Sequence, residues 1–272
     1  MSVRRASFAG SFYTDDPADL SSQIDSFLKD AGEKKRNGVV GLVSPHAGYI
    51  YSGPVAAHAY AAVAGKKFDT VIVLAPSHRA RFDGLCVMSS GSYETPLGEI
   101  PVNAELASKL AASPLAFFNR DVDALEHSLE VQLPFLQKTV GSFSLVPVIV
   151  GTTDLAVCRR IAHDIHDALK GYEGTVLVVV STDLSHYHPY DEAKRLDAKV
   201  SAALEKFDEK ILSDLLAEGE AEACGEGPLV AGIALVKLMG ASRCTVLHRA
   251  NSGDTAGDRH RVVGYLAAAF TE

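Results

Sequence analysis

Three short runs of branched apolar residues constrain the fold of this chain more strongly than any other feature. They lie at residues 38–43, 69–75 and 175–180, and the last of them reads TVLVVV. Near-continuous Val, Ile and Leu predict strands buried on both faces, which occur where helices cover both sides of a sheet. Helical segments separate the runs, so we predict a single α/β domain over residues 1–272. The expected architecture is a three-layer α/β/α sandwich with a mostly parallel central sheet.

The rest of the chain completes this alternation. Helices are predicted at residues 54–63, 103–112, 154–169, 190–206, 209–217 and 228–239. Another is predicted at 125–138, kinked or shortened by Pro134, because proline lacks the N–H that a helix interior needs. Additional strands are predicted at residues 85–88, 143–150, 244–249 and 261–268. The last two lie close in sequence, which favours an antiparallel edge.

Charge and hydropathy restrict the partners and the location of the chain. The formal net charge is −8, and Lys and Arg form no extended block. Phosphate binding needs a clustered basic face, so no nucleic-acid partner is expected. The apolar runs fall short of the roughly 20 residues that span a bilayer, and the N-terminus lacks the apolar stretch of a signal peptide. We therefore expect a cytoplasmic protein that does not enter a membrane.

Several common functional motifs are missing from the sequence. It contains no G-x-G-x-x-G, no Walker A loop and no G-x-S-x-G elbow, which excludes the common nucleotide-binding and serine-hydrolase classes. The four cysteines show no C-x-x-C spacing, so neither a zinc ribbon nor a disulfide framework is predicted. Three of the four are expected to be small buried residues.

Each of the three strongest strands runs into a polar tip that contains a histidine. His46 follows the first strand, His78 the second, and Asp183 and His186 the third. Ligands of open α/β sheets bind beyond the carboxyl ends of the strands, and the tips of parallel strands meet at one edge. We therefore predict His46 and His78 as metal ligands. The alternative for either residue alone is a histidine that hydrogen-bonds loop carbonyls.

Asp183 and His186 are the predicted catalytic residues. They lie three positions apart, so on a helical turn they would share one face. Asp183 would then orient His186 or act as a base. The alternative is a loop-capping aspartate beside a surface histidine.

Cys224, near the start of the last helix, is a candidate for a third metal ligand. Cys224 precedes Gly225, Glu226, Gly227 and Pro228. The positive end of a helix dipole stabilises a nearby thiolate, which is the form that binds metals. Two alternatives remain open, namely a small buried cysteine, and Glu226 as a carboxylate ligand in its place.

Further residues are predicted around the same pocket. His127 and Glu130 lie three apart on a predicted helix, the spacing of a Glu/His metal pair. H-x-x-E alone is a weak pattern, so a role in the pocket wall fits equally well. Tyr49 and Ser77 adjoin the two predicted histidine ligands and complete this set.

These residues belong to longer motifs that resemble the Memo family, whose bacterial and archaeal members are labelled component B of the AmmeMemoRadiSam system. The matching motifs span nearly the whole chain and occur in the same order as in the family. They are RxAxxAGSFY, SPHAGYIYSGPVAAHAY, LAPSH, ETPLGEIPV, EHSLEVQLPFL, PVIVG, STDLSHY and CGEGP. The resemblance implies a fold similar to class III extradiol dioxygenases, which use non-haem iron(II) to open catechol rings. It also implies that other components of that system are partners.

The resemblance carries a metal site over to His46 in SPHAGY, His78 in PSH and Cys224 in CGEGP. Asp183 and His186 match further pocket residues of the family, and iron or copper with oxidation chemistry is implied. Extradiol enzymes have a carboxylate where this chain has a thiolate, and sulfur favours Cu(I), zinc or sulfur-bound iron. Catechol cleavage therefore does not follow from the fold.

Three functions are compatible with this pocket. The first is a redox metalloenzyme that uses iron or copper. The second is a binding module that recognises a peptide or a small ligand, with Arg79 and backbone N–H groups as donors. The third is a zinc-dependent hydrolase, since two histidines and a cysteine leave a fourth zinc position open for an activated water.

Overall fold

The computed structural model describes residues 2–33 and 35–272. Its strands are β1 (Val3–Arg4), β2 (Val39–Ser44), β3 (Thr70–Pro76), β4 (Leu85–Val87), β5 (Ser92–Thr95), β6 (Gly98–Pro101), β7 (Ala116–Phe117), β8 (Ser144–Val150), β9 (Val176–Ser181), β10 (His186–His188), β11 (Arg243–Asn251) and β12 (Val262–Thr271). Its helices are α1 (Pro17–Ala31), α2 (Tyr49–Ala61), α3 (Ala104–Ala111), α4 (Arg120–Ala124), α5 (His127–Glu130), α6 (Leu133–Thr139), α7 (Leu155–Ala168), α8 (Tyr190–Glu205), α9 (Glu209–Ala217), α10 (Glu226–Leu238) and α11 (Ser252–Thr255).

A large mixed sheet forms the centre of the molecule. Its middle strands β2, β9, β3 and β8 lie side by side in that order, and each is parallel to its neighbour. Strand β12 then pairs antiparallel with β2 and with β11, as predicted for the last two strands of the chain. The three strongest apolar runs of the sequence are therefore adjacent, parallel and central.

Helices cover this sheet in two groups. Helix α2 packs on β2 and β12 together with α1 and α6, while α10 packs on β9 and β3 together with α7 and α9. Every residue of β2 and β3 is buried, as expected for strands covered on both faces. This arrangement is consistent with the predicted three-layer α/β fold. Within the described residues, no helix combines the length and the apolar character needed to cross a membrane.

The predicted helix at residues 125–138 is wrong, because the segment breaks into separate short helices. The Glu126 side chain accepts from the Ser128 N–H and starts α5. Pro134 lies in the first turn of α6, where a missing N–H costs little. The segment therefore turns repeatedly, and Glu126 becomes an N-cap rather than part of a continuous helix.

Other boundaries shift near the predicted site. Helix α2 begins at Tyr49, five residues before the predicted start at Pro54, and the Tyr49 N–H donates to the Phe12 carbonyl at 2.8 Å. Helix α10 begins at Glu226 rather than at Pro228. Asp183 and His186 do not lie on a helical turn, since His186 opens β10, which pairs with β12 through an irregular register. The predicted cap of α7 is confirmed, because Asp154 accepts from the Val157 N–H.

Candidate metal centre

The ends of the central strands bring the predicted side chains to one edge of the sheet. His46, His78 and Asp183 each follow the last residue of β2, β3 and β9 by two positions. Because β9 lies between β2 and β3 and is parallel to both, the three tips converge. The ring centroids of His46 and His78 are 5.2 Å apart. Since histidine–metal bonds are about 2 Å long, both rings can reach one ion.

Cys224 completes a group of three metal-ligating side chains. Its Sγ lies 3.2 Å from His46 Nε2. The ligand atoms of His46, His78 and Cys224 all lie within 4.8 Å of one another. Gly225 permits this approach, because a Cβ at that position would meet the Ser181 carbonyl at 2.5 Å. The structure thus gathers the three residues that the motifs assigned to a metal.

Two effects oppose ionisation of the Cys224 thiol. Burial raises the pKa of the Cys224 thiol well above its usual value, and the nearby Asp183 carboxylate raises it further. These two effects oppose the stabilisation of the thiolate that is expected from the α10 dipole. A bound cation would reverse that balance, since coordination deprotonates a thiol outright. Glu226, the alternative ligand, lies outside the metal-ligating groups formed by the described residues.

Glu126 fixes the orientation of the His78 ring. Its carboxylate accepts from the His78 backbone N–H at 2.6 Å and faces His78 Nδ1 at 2.9 Å. Burial alone would raise the pKa of Glu126, but hydrogen bonds from His78 and Ser128 bring it to about 2. The ionised carboxylate can only accept, so Nδ1 of His78 carries the proton. Its Nε2 lone pair is then free for a metal, as is common for metal-bound histidines.

A second chain of hydrogen bonds fixes the His46 ring. Ser181 Oγ donates to the Ser128 carbonyl at 2.7 Å, which uses its only proton. Gln132 Nε2 donates to the Pro45 carbonyl at 3.0 Å and to Ser181 Oγ at 2.8 Å. His46 Nδ1 lies 2.8 Å from the same Ser181 oxygen, so it must be the donor. Nε2 of His46 is therefore unprotonated and faces the neighbouring thiol.

The neighbouring group of His78, Glu126 and His127 also has metal-ligating spacing. Glu126 already accepts from two N–H groups, from the Ser128 hydroxyl and from the His78 ring. Those bonds occupy the lone pairs of its carboxylate. Glu126 therefore contributes by orienting the His78 ring rather than by binding a metal itself. His127 packs beside the centre, with its ring centroid 4.7 Å from that of His78. Burial and the nearby His46 lower the pKa of His127 to about 3, so it is neutral.

The sequence motifs that build this centre identify the family. A family model of Memo-like proteins matches residues 4–269. The chain belongs to the Memo family. A MEMO1 family protein of Methanopyrus kandleri is 38% identical over 279 residues, covering 98% of each chain. A second, from Methanothermobacter thermautotrophicus, is 34% identical over 274 residues, covering 97% of this chain and 98% of the relative.

A solved structure shares the fold of this Memo protein at low sequence similarity. The uncharacterized protein JW3007 from Escherichia coli K12 superposes with a TM-score of 0.51 at 14% identity. The match covers 75% of this chain and 86% of that chain. At this identity the likeness concerns the architecture alone.

The predicted catalytic residues of this Memo chain line a cavity beside the metal ligands. Asp183 and His186 both border a cavity of about 460 Å³, as does His127. Asp183 Oδ1 accepts from the His46 backbone N–H at 2.8 Å, and burial raises the pKa of its carboxyl. His186 Nδ1 donates to the Leu184 carbonyl at 2.7 Å, which leaves Nε2 as the unprotonated nitrogen of the neutral ring.

Three other predicted residues of the Memo pocket direct their polar atoms elsewhere. Tyr49 donates its hydroxyl to the Val131 carbonyl, and Ser77 donates to the Ala80 carbonyl. Glu130 lies on the far side of α5, where it pairs with the buried Arg4 guanidinium. These side chains support the loops and helices around the site, and none is among the grouped metal-ligating residues.

Sequence reasoning did not find the residues that orient the Memo histidines. Glu126 precedes His127 in the quoted EHSLEVQ motif, but nothing in its spacing links it to His78. Gln132 lies in the same motif and was not assigned. Ser181 had a usable signal, because it ends the strongest strand at the same sheet edge as His46.

Proposed function

We propose that this chain is a metal-dependent oxidoreductase that holds iron or copper between His46, His78 and Cys224. One observation carries the proposal. The ligand atoms of these residues lie within 4.8 Å of one another, and hydrogen bonds at each Nδ1 leave both Nε2 lone pairs free. Such preorganisation is typical of metal-bound histidines, whose other nitrogen donates to a carboxylate, carbonyl or hydroxyl.

The chemistry of the donors supports the choice of metal. Two imidazole nitrogens and a sulfur suit iron, copper or zinc and do not suit magnesium or calcium, which prefer oxygen. Three protein ligands on one side leave further positions for a substrate or oxygen. When bound, iron or copper would supply one-electron chemistry toward oxygen.

The chain's own side chains have distinct parts in this proposal. His46, His78 and Cys224 hold the metal, while Glu126 orients one of the rings. His186 offers its unprotonated Nε2 to the adjoining cavity, where it can take a proton from a bound substrate. Asp183 accepts from the His46 backbone N–H and contributes a carboxyl group to the cavity wall.

Reconstitution tests the proposal. Untagged protein is treated with a chelator and then loaded anaerobically with Fe(II), Cu(I) or Zn(II) in separate samples. Bound metal is counted by mass spectrometry, and oxygen uptake is followed with a reductant. We expect a single iron or copper ion per chain, and oxygen uptake that depends on it. No bound metal above background would overturn the proposal.

Matched variants locate the metal. His46→Ala and Cys224→Ala should lose it, whereas His163→Ala on the exposed face of α7 and Cys244→Ala in β11 should retain it. Stoichiometric zinc, hydrolysis of ester probes and no oxygen uptake would favour a zinc-dependent hydrolase instead. If Cys224→Ala bound as much metal as the parent protein, the thiolate would not be a ligand.

A further inference from the structure

The cavity beside the metal ligands has aromatic walls. Its volume is about 460 Å³, within the range of small-molecule sites. The rings that line it are Phe12, Tyr51, Tyr187 and Tyr265. Aromatic walls favour flat unsaturated ligands, because rings pack against one another in offset or edge-to-face contact.

The two ends of the cavity differ in charge. The Asp183 carboxylate is only 4% exposed and lies at the inner end, beside the His186 ring. Arg261 is the only Lys or Arg among the described residues that line the cavity, and it is exposed, as is Asp258, the second carboxylate of the lining. Arg261 would attract an anionic group, whereas no Lys or Arg among the described residues lines the inner end beside Asp183. The cavity therefore favours a ligand whose negative charge points outward.

Arg261 is positioned to bind such a group. Its guanidinium lies 5.1 Å from the centre of the Tyr187 ring and makes no ion pair with the described residues. A guanidinium presents a planar fork of donors that matches a carboxylate. Stacking on the tyrosine restrains the side chain without using that fork.

Tyr187 is held in an unusual backbone conformation at the cavity mouth. Its φ is +62°, in the left-handed region of backbone conformation that residues other than glycine rarely adopt. The register between β10 and β12 shifts at the same place, and such bulges near functional sites redirect side chains. Tyr187 is 62% exposed, so burial in the core does not explain its conformation.

We propose that this cavity binds a small planar aromatic carboxylate, with its carboxylate on Arg261 and its ring against the aromatic walls. The inference rests on the proposed function, because it makes such an acid the substrate class of that metal centre. Both parts of the ligand are required. A neutral ring lacks the partner for Arg261, and an aliphatic acid lacks the flat face.

Three probes test the inference on the full chain by ligand-observed NMR titration. They are benzoate, the neutral benzamide, and the aliphatic cyclohexanecarboxylate. We expect benzoate to bind about tenfold more tightly than benzamide, the size of one charge-assisted hydrogen bond. We also expect it to bind more tightly than cyclohexanecarboxylate, which keeps the carboxylate but lacks the flat ring. Benzoate affinity no higher than that of the two comparison probes would overturn the inference.

Two arginine variants provide a matched comparison. Arg261→Met should lower benzoate affinity about tenfold and leave benzamide affinity unchanged. Arg259→Met is the control, since Arg259 stacks on Tyr190 at 4.4 Å and does not line the cavity. Tyr187→Asn, which tolerates a positive φ, should weaken benzoate and benzamide alike. Unchanged benzoate affinity in Arg261→Met would contradict the assigned orientation.

The titrations are run on chelator-treated and on zinc-loaded protein. A failure of the proposed function can then be distinguished from a failure of the cavity assignment. Benzoate binding by a protein that loads no metal would overturn the proposed function and leave the cavity assignment standing. Normal metal loading without preferential benzoate binding would overturn the cavity assignment alone.

Discussion

The Glu126 carboxylate receives two hydrogen bonds from His78, one from the backbone N–H at 2.6 Å and one from ring Nδ1 at 2.9 Å. This pair fixes both the place and the tautomer of the ring. Because Nδ1 carries the proton, the lone pair lies on the opposite nitrogen, Nε2, and is available to a metal shared with the thiol and the second imidazole. A residue outside the ligand group thereby decides whether the group can bind a cation.

Replacing that carboxylate should weaken metal binding. In Glu126→Gln the amide can donate as well as accept, so the ring is no longer held in one tautomer. Loss of such a partner typically lowers metal affinity about 10–100-fold. Competition titration with a chromophoric zinc chelator measures the change. Glu105→Gln on the surface of α3 is the control, and an affinity equal to the parent's in Glu126→Gln would refute the role of Glu126.

Ser181 should set the tautomer of His46. In the parent protein, nitrogen-15 NMR of the imidazole is expected to show a protonated Nδ1 and an unprotonated Nε2. Ser181→Ala removes the acceptor, so the other tautomer should appear. Ser201→Ala on α8 is the control because its hydroxyl donates to the Asp197 carbonyl, away from the centre. An unchanged spectrum in Ser181→Ala would show that another group holds the ring.

The buried ion pair of Arg4 with Glu130 should be essential for stability. Both side chains are almost fully buried, and Glu130 also accepts from the Tyr13 hydroxyl at 2.6 Å. Arg4→Met leaves a buried carboxylate without its cation, which typically costs about 3–5 kcal/mol. Urea unfolding measures the loss. Arg5→Met is the control, since Arg5 pairs with Glu94 at the surface and should change stability little.

Asp197 should make the protein less stable as the pH rises. Its carboxyl is 1% exposed, and burial raises its pKa from 3.8 to about 6. The folded state therefore binds this proton more tightly than the unfolded state between those values. The associated stability is complete below pH 4 and is lost through pH 6, a change of up to about 3 kcal/mol.

Unfolding experiments from pH 4 to pH 7 check this dependence. Asp197→Asn cannot ionise, so the corresponding fall in the free energy of unfolding should disappear, and the variant should be more stable than the parent at pH 7. A variant with the same pH profile as the parent would assign the dependence to other groups.

Much of the fold was predictable because its determinants are local. The apolar runs that became β2, β3 and β9 need cover on both faces, and their parallel order follows from the helices between them. Asp154 also caps α7 as its residue type indicates. By contrast, the break between α4 and α5 depends on capping by Glu126, which helical periodicity does not reveal.

The centre was predictable only in part. His46 and His78 could be located because each follows a strand that ends at the same sheet edge. Cys224 required the family motif, since its approach depends on Gly225 passing close to the Ser181 carbonyl. The partners of the histidines come from distant segments, and 48 residues separate His78 from Glu126. Such contacts depend on tertiary packing rather than on local sequence.

X-ray absorption spectroscopy of the zinc-loaded protein tests the shared site most directly. We predict a shell with one sulfur at about 2.3 Å and imidazole nitrogens at about 2.0–2.1 Å, and loss of the sulfur contribution in Cys224→Ala. A shell of nitrogen and oxygen alone in the parent protein, or a sulfur that persists in that variant, would contradict binding by His46, His78 and Cys224 together.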